Sequence, residues 1–334
     1  MSANFWNTLP RPFFVMAPMA DVTDPAYRRI IASCGKPDVM YTEFVSADGL
    51  FKGGEEVGKP GPGYNRLVQD LAFDESERPI VAQFFSRDLA TMAAAAELGE
   101  ALGFDGIDIN MGCPDKNVCK QGAGAAMITD PEHAKRLVHA TKEATRLPVS
   151  VKTRIGYTRV EIEEWVPTLL STDPAVLTLH ARTKKEMSKV PAQWEHVARA
   201  VEIRNEMGSD TLIVGNGDVT SIQHARELAA ETGCDGVMLG RAIYGNPWLF
   251  ANKERPLLGE RLTTLIQHIE LYDELLGDHK PLHIMKKHFK SYLKPAEGER
   301  IRTKALLQQL MEAATAGEAI AHITEYLTDN QRQQ

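Results

Sequence analysis

Residues 106–155 read GIDINMGCPDKNVCKQGAGAAMITDPEHAKRLVHATKEATRLPVSVKTRI. Gly106–Met111 is a short apolar run, and Pro148–Ile155 is a second one. Between them, Asp130 followed by Pro131 is a helix start: a side chain that can cap free backbone N–H groups, then a residue whose missing N–H costs nothing in the first turn. The helix-like stretch EHAKRLVHATKEAT follows. Near-continuous apolar strands alternating with helices predict a parallel sheet covered on its faces.

The same unit recurs in both directions. The other apolar runs are Phe13–Ala20, Val39–Val45, Pro79–Phe85, Val176–Ala181, Leu212–Gly215 and Gly236–Gly240. Asp24 with Pro25, Asp88 and Ser221 open further helices, and Gly35, Gly103, Gly208 and Gly233 read as helix ends. Eight such units over about 250 residues fit a closed (β/α)8 TIM barrel better than an open doubly wound sheet. Residues 46–78 are long and glycine-rich and read as a mobile loop at the active-site end. After Phe250 the strand signal stops. Leu262–Leu276, Ile284–Leu293, Thr303–Ala314 and Glu318–Leu327 carry helical spacing. The expected division is a catalytic barrel over residues 1–255 and a small all-helical domain over 256–334.

Composition is that of an ordinary globular chain: 43% of residues are hydrophobic and 25% charged. No stretch approaches the ~18–20 uncharged apolar residues that span a bilayer, so no membrane partner is expected. The start, MSANFWNTLPRPFF, lacks a basic region followed by an apolar core, and no secretory signal is read there. Four cysteines (Cys34, Cys113, Cys119, Cys234) read as reduced thiols, consistent with a cytoplasmic location. Nothing in the chain sets an oligomeric state, and a monomer is the default expectation. The net charge of −7 speaks against wholesale binding of nucleic acid. Locally the balance inverts: between Lys280 and Lys304 eight basic residues, Lys286 and Lys287 among them, face only Glu297 and Glu299. That segment reads either as a solvated helix face or as a phosphate-binding surface.

Barrel enzymes keep their chemistry at the C-terminal ends of the strands. Here those ends carry Pro18, Met19 and Ala20; Gln83; Asn110 and Cys113; Lys152 and Arg154; His180 and Arg182; Asn216, Gly217 and Asp218; and Gly240 and Arg241. The glycines and Arg241 after the last two strands match a phosphate site built from backbone N–H groups, although tight turns and barrel packing explain glycine there equally well. Lys152 sits between valines inside a strand. It either offers a cation to a bound anionic group or pairs with Asp108 on the neighbouring strand. Cys113 can pack as a small apolar group or donate a proton as a general acid. Its spacing to Cys119 and His133 matches no zinc pattern, so no metal is expected.

Taken together, MAPMADVTDPAYRR, YTEFVSADGL, DINMGCPDKNV with QGAGAAM after it, VSVKTRIG, LTLHARTK, GNGDV and GCDGVMLGRAIYGNPWLF resemble the tRNA-dihydrouridine synthases over about residues 13–250. The tail with HIMKKHFKSYL resembles that family's RNA-binding domain more loosely. The resemblance implies a barrel that holds FMN, is reduced by NADPH, and converts uridines of tRNA to 5,6-dihydrouridine. It implies Cys113 as the acid that protonates uracil C5. Pro18, Met19 and Ala20 would line the flavin; Gln83, Lys152 and His180 would bond its ring. Asn216, Gly217, Asp218, Gly240 and Arg241 would hold its ribityl chain and phosphate. Asn110 would touch the uracil edge, Arg154 and Arg182 the substrate or its backbone, and Lys286 and Lys287 the RNA. Ser86 stands after Phe85 where family members often have glycine.

Three other readings remain open from the residues. An FMN barrel acting on a free pyrimidine shares the phosphate signature but needs no basic tail. A dihydrouridine synthase acting on ribosomal RNA would share every motif. A non-catalytic RNA-binding barrel would have no use for Cys113, Lys152 and His180.

Overall fold

A computed structural model describes residues 4–56, 58–252, 255–295 and 303–331. Glu297, Glu299, Arg300 and Arg302 of the basic segment lie outside these residues. Among the described residues there are eight strands: β1 Phe13–Met16, β2 Met40–Ser46, β3 Ile80–Phe85, β4 Gly106–Met111, β5 Val149–Arg154, β6 Val176–His180, β7 Leu212–Asn216 and β8 Gly236–Leu239. All pair in parallel in the order β1-β8-β7-β6-β5-β4-β3-β2. A bridge between Val15 and Val39 brings the two ends together, with Met16 N–H donating to the Val39 carbonyl at 3.1 Å. The fold is the expected TIM barrel with helices around it.

The strand boundaries follow from who can donate. β1 stops at Met16, four residues short of the sequence reading. Ala17 still donates to Leu239, but Pro18 has no N–H to continue the ladder. The anticipated helices form on their caps: Asp24 accepts from Tyr27 N–H, Asp88 from Thr91, Asp130 from His133 and Ser221 from His224. Gly233 ends its helix in the left-handed conformation (φ 69°), as a C-cap glycine does. Gly35 does not. It is the last residue of helix Pro25–Gly35 without a positive φ, and a side chain there would lie 2.6 Å from Ala251. Close packing, not a turn, explains that glycine. The stretch read as a loop between β2 and β3 also contains more order than expected. Ser46 caps a helix over Ala47–Phe51, and Tyr64–Leu67 forms another short one.

The contacts divide the chain into two compact units. The first comprises residues 1–19, 37–72 and 78–241 and holds every strand. The second comprises residues 20–36, 73–77 and 242–334 and is helical. Its longest helix, Leu258–Leu276, buries Leu262, Leu265, Ile269, Tyr272 and Leu276. These residues recur at three- and four-residue steps and so share one face. That face packs with Phe289 and Tyr292 of helix Lys286–Tyr292, Leu310 of helix Lys304–Glu312 and Ile323 of helix Ala316–Gln331. Among the described residues no helix is long and apolar enough to cross a membrane.

Candidate active site

Strand register assembles the site within the first unit. Gln83 lies beside Asp108, Asn110 beside Lys152, Arg154 beside His180, and His180 beside Asn216. Side chains two residues apart on one strand share a face. Asp108 with Asn110, and Lys152 with Arg154, are therefore stacked along the barrel.

A hydrogen-bond chain links the middle of the barrel to the Cys113 turn. Asp108 is fully buried and accepts from Ser150 Oγ at 2.5 Å and from Gln83 Nε2 at 2.6 Å. Gln83 Oε1 accepts from Asn110 Nδ2 at 2.9 Å, and Asn110 Oδ1 accepts the N–H groups of Gly112 and Cys113 at 3.0 and 2.8 Å. Burial raises the Asp108 carboxyl to about 6, against the pull of Ser150 and Gln83. The sequence suggests Asp108 only as a partner for Lys152. Its real partners come from β3 and β5, and no local pattern announces them.

Cys113 is half-buried beside Phe85, Val118 and Ala123. Burial pushes its thiol above the ordinary range, and Arg154 only partly opposes this. The group is therefore a protonated thiol at neutral pH. Gly124 supports the turn from behind: its φ is 59°, and a side chain would lie 2.8 Å from the Cys113 carbonyl. That explains one glycine of the QGAGA motif. Cys119, six residues on, donates weakly to the Cys113 carbonyl at 3.6 Å.

Lys152 Nζ donates to Asn216 Oδ1 at 3.1 Å, and Asn216 Nδ2 donates to the Met238 carbonyl at 2.8 Å. Among the described residues no carboxylate lies within ion-pairing distance of Lys152. Of the two sequence readings, pairing with Asp108 is the one the structure does not form. Desolvation, reinforced by Arg154, lowers the Lys152 ammonium to about 8. His180 is held well below its usual value by burial and by four surrounding cations, Arg154, Lys152, Arg182 and Arg241. Its Nε2 lies 3.2 Å from the Arg182 guanidinium, which can only donate, so this nitrogen is the acceptor of a neutral ring.

Asp218 ties the cations together. It adopts a left-handed backbone (φ 55°), and its carboxylate accepts from Arg182, from Arg241 at 2.5 Å and from Ala192 N–H at 2.9 Å. Gly217 (φ 133°) has no room for a side chain, which would come 2.8 Å from Ala192. At Gly215 the Trp194 ring fills the same space, so two glycines of GNGD have packing reasons. Gly240 differs. A side chain there would meet only Met19 Sδ at 3.5 Å and Ala17 at 3.6 Å, so its hydrogen leaves an opening. Pro18 is buried, Met19 partly covered and Ala20 exposed. Ser86 donates to Asp48 at 2.8 Å and accepts from Asp88 N–H.

Arg154 is almost wholly engaged by backbone. Its Nε donates to the Gly112 carbonyl at 2.8 Å, and its NH1 to the Thr183 and Met187 carbonyls at 3.1 Å each. In the second unit, Lys286 Nζ donates to the Met311 carbonyl at 2.7 Å, whereas Lys287 is exposed.

A thiol, a histidine and a cluster of cations thus lie at the strand ends of a TIM barrel, where barrel enzymes carry their chemistry. A family model described as dihydrouridine synthase matches residues 15–331. A protein of Bacillus subtilis (strain 168) named "Probable tRNA-dihydrouridine synthase 2" is 39% identical over 330 residues, covering 98% of this chain and 97% of that protein. The chain belongs to the dihydrouridine synthase family. Two solved structures share its fold at low identity. One is 2-naphthoyl-CoA reductase in complex with 2-naphthoyl-CoA, at TM-score 0.54 and 10% identity over 71% of this chain, which spans about half (49%) of that one. The other is a morphinone reductase variant in complex with tetrahydroNAD, at TM-score 0.50 and 12% identity, covering 73% of this chain and 87% of that one.

Proposed function

We propose that this protein reduces uridines of tRNA to 5,6-dihydrouridine, with FMN as bound cofactor and NADPH as reductant, in the cytoplasm. The observation that carries the reading is the placement of the Cys113 thiol, protonated and half-buried, on the same strand-end surface as Lys152, His180 and Arg241.

The residues fit FMN on two counts. Lys152, Arg154, Arg182 and Arg241 outnumber the carboxylates that meet them, and Lys152 has no anionic partner among the described residues, so the cluster suits a group bearing a phosphate. The opening at Gly240, bordered by Met19 and Ala17, suits close backbone approach to such a group. Arg241, with its side chain 62% exposed, is free to reach the phosphate while Asp218 orients it. Gln83, Lys152 and the neutral His180 would bond the flavin ring; Asn216 and Gly217 would meet the ribityl chain. When bound, FMN supplies the hydride that adds to uracil C6.

The protein's own part is then positioning and proton supply. Hydride addition at C6 leaves negative charge delocalised over C5 and the C4 carbonyl, so C5 must gain a proton. Cys113 Sγ–H gives that proton, and the Arg154 charge beside it eases formation of the thiolate. Asn110 keeps one amide hydrogen free after its bonds to Gln83 and the turn, and this hydrogen can meet a carbonyl of the base. The base must leave its stack to reach the thiol, at a cost of a few kcal/mol. Contacts to the RNA backbone, from Lys287 among others, offset that cost.

The test is direct. Protein, FMN and NADPH are incubated with unmodified tRNA, which is then digested and weighed by mass spectrometry. A fragment heavier by two hydrogens at a uridine is the expected result. Bound flavin with no such gain overturns the tRNA assignment, and parallel incubations with ribosomal RNA and with free uracil or orotate then identify the substrate.

A further inference from the structure

The basic tail is not the only surface with nucleic-acid chemistry. The loop after β5 and the loop after β6 are bound to each other: Lys184 N–H donates to the Gly156 carbonyl and Lys185 N–H to the Tyr157 carbonyl, both at 2.9 Å. The Lys184 ammonium stands over the Tyr157 ring, 4.9 Å from its centre. Lys185 and Lys189 are exposed, and among the described residues no carboxylate is within ion-pairing distance of either. Glu186, the acidic residue between them, is turned inward; it accepts from Thr183 N–H at 2.7 Å and from Gln193 at 3.2 Å. In a chain of net charge −7, Lys184, Lys185 and Lys189 outnumber the one carboxylate of the loop after β6, Glu186, which stays ionised but is occupied by internal bonds, while Glu161 of the loop after β5 is paired with Arg159 at 3.8 Å.

The same loop presents apolar side chains to solvent, with Met187 at 40% and Val190 at 37% exposure. It does so from a fixed backbone. Met187 has φ 58°, a conformation a side-chain-bearing residue rarely holds unless its surroundings impose it. Arg154 grips the Thr183 and Met187 carbonyls, and Arg182 grips Val190. Two buried arginines thus hold a positively charged, partly apolar loop at the same barrel end as Cys113.

We infer that the joined loops after β5 and β6 are a second RNA-binding surface, contacting backbone phosphates through Lys185 and Lys189 and an unstacked base through Tyr157 and Met187. The inference rests on the proposed function for its ligand, since the chemistry alone asks for an anionic polymer with flat apolar faces. Because Arg154 also holds Gly112, RNA seated on this loop is in register with the thiol.

The experiment measures RNA binding rather than turnover. Fluorescence anisotropy with a labelled, unmodified tRNA transcript is read across a salt series. It compares the full-length protein, the double variant Lys185→Glu with Lys189→Glu, and a control, Lys135→Glu with Arg136→Glu, on the helix Pro131–Glu143. The loop variant is expected to raise Kd about tenfold and to flatten the slope of log K against log salt by about one for each phosphate it no longer neutralises. The control, with the same change in net charge, is expected to move Kd less than about twofold if the contacts are local. Equal shifts in both variants, or none in either, overturn the inference. Tight, salt-sensitive RNA binding by the unaltered protein without uridine reduction would overturn the proposed function and leave the surface standing. A loop variant defective only toward an acidic protein, and not RNA, would reassign the partner and overturn the inference.

Discussion

Asn110 Oδ1 accepts the backbone N–H of Cys113 at 2.8 Å, so the last polar side chain of β4 caps the turn that carries the thiol. The same oxygen takes Gly112 N–H, and Gln83 fixes the amide from the other side. Asn110→Ala frees two part-buried donors and is expected to cost about 1–2 kcal/mol of stability. It should also lower turnover more than it raises KM for RNA, because the thiol loses its position. Urea midpoints and steady-state kinetics check both. Unchanged turnover in a folded variant would leave the cap a purely local feature.

Cys113→Ala removes the proton donor without touching the cation cluster. Flavin binding should persist, while uridine reduction falls about 10²–10⁴-fold, the usual worth of a general acid. Flavin absorbance and single-turnover assays read the two separately. Because burial holds the thiol above its ordinary value, the donor form is complete at neutral pH, and the wild-type rate should not decline between about pH 6 and 7 on its account. A decline there would mean that another group supplies the proton.

In the helical unit, Arg28 Nε donates to Glu77 Oε2 at 2.6 Å with both side chains fully buried, and Glu77 Oε1 accepts Asp74 N–H at 2.8 Å. Glu77→Ala strands the Arg28 charge and should cost about 3–5 kcal/mol. Glu77→Gln, which keeps an acceptor for Arg28, should cost less. If the two variants melt together, the charge itself is not what holds the segment.

His268 and His288 are buried around Tyr27, whose ring lies 4.8 and 4.4 Å from theirs. Among the described residues, both nitrogens of His288 and Nε2 of His268 have no hydrogen-bond partner. Burial lowers His268 to about 3 and His288 well below its usual value. The unfolded chain therefore takes up protons below about pH 6.5 that the folded unit refuses, and stability falls as pH drops from about 6.5 toward the folded values. Each histidine contributes a loss of up to about 1.4 kcal/mol per pH unit in that window. His288→Phe should flatten this slope, as read by denaturant midpoints at about pH 7 and pH 5. An unaltered slope would place the acid sensitivity elsewhere.

The strand–helix alternation is legible because each barrel unit carries its own signals. An N-cap aspartate or serine meets N–H groups three residues away, and a proline ends β1 simply by lacking a donor. Such effects are local and survive in one dimension. The candidate site is legible as far as position, since strand ends are where a barrel opens. Gly35 reads as a cap because a packing glycine and a capping glycine look alike in sequence; only Ala251, more than two hundred residues on, tells them apart.

The sequence by itself determined the barrel, the family and which candidate residues stand at the strand ends, because periodicity, caps and motif order depend on neighbours along the chain. Only the tertiary structure decided what those residues do to one another. Asp108 bonds Gln83 and Ser150 while Lys152 bonds Asn216, and Arg154 spends its guanidinium on three carbonyls of two loops. Those choices follow from strand register and burial, which set distance and dielectric between residues that the chain keeps far apart.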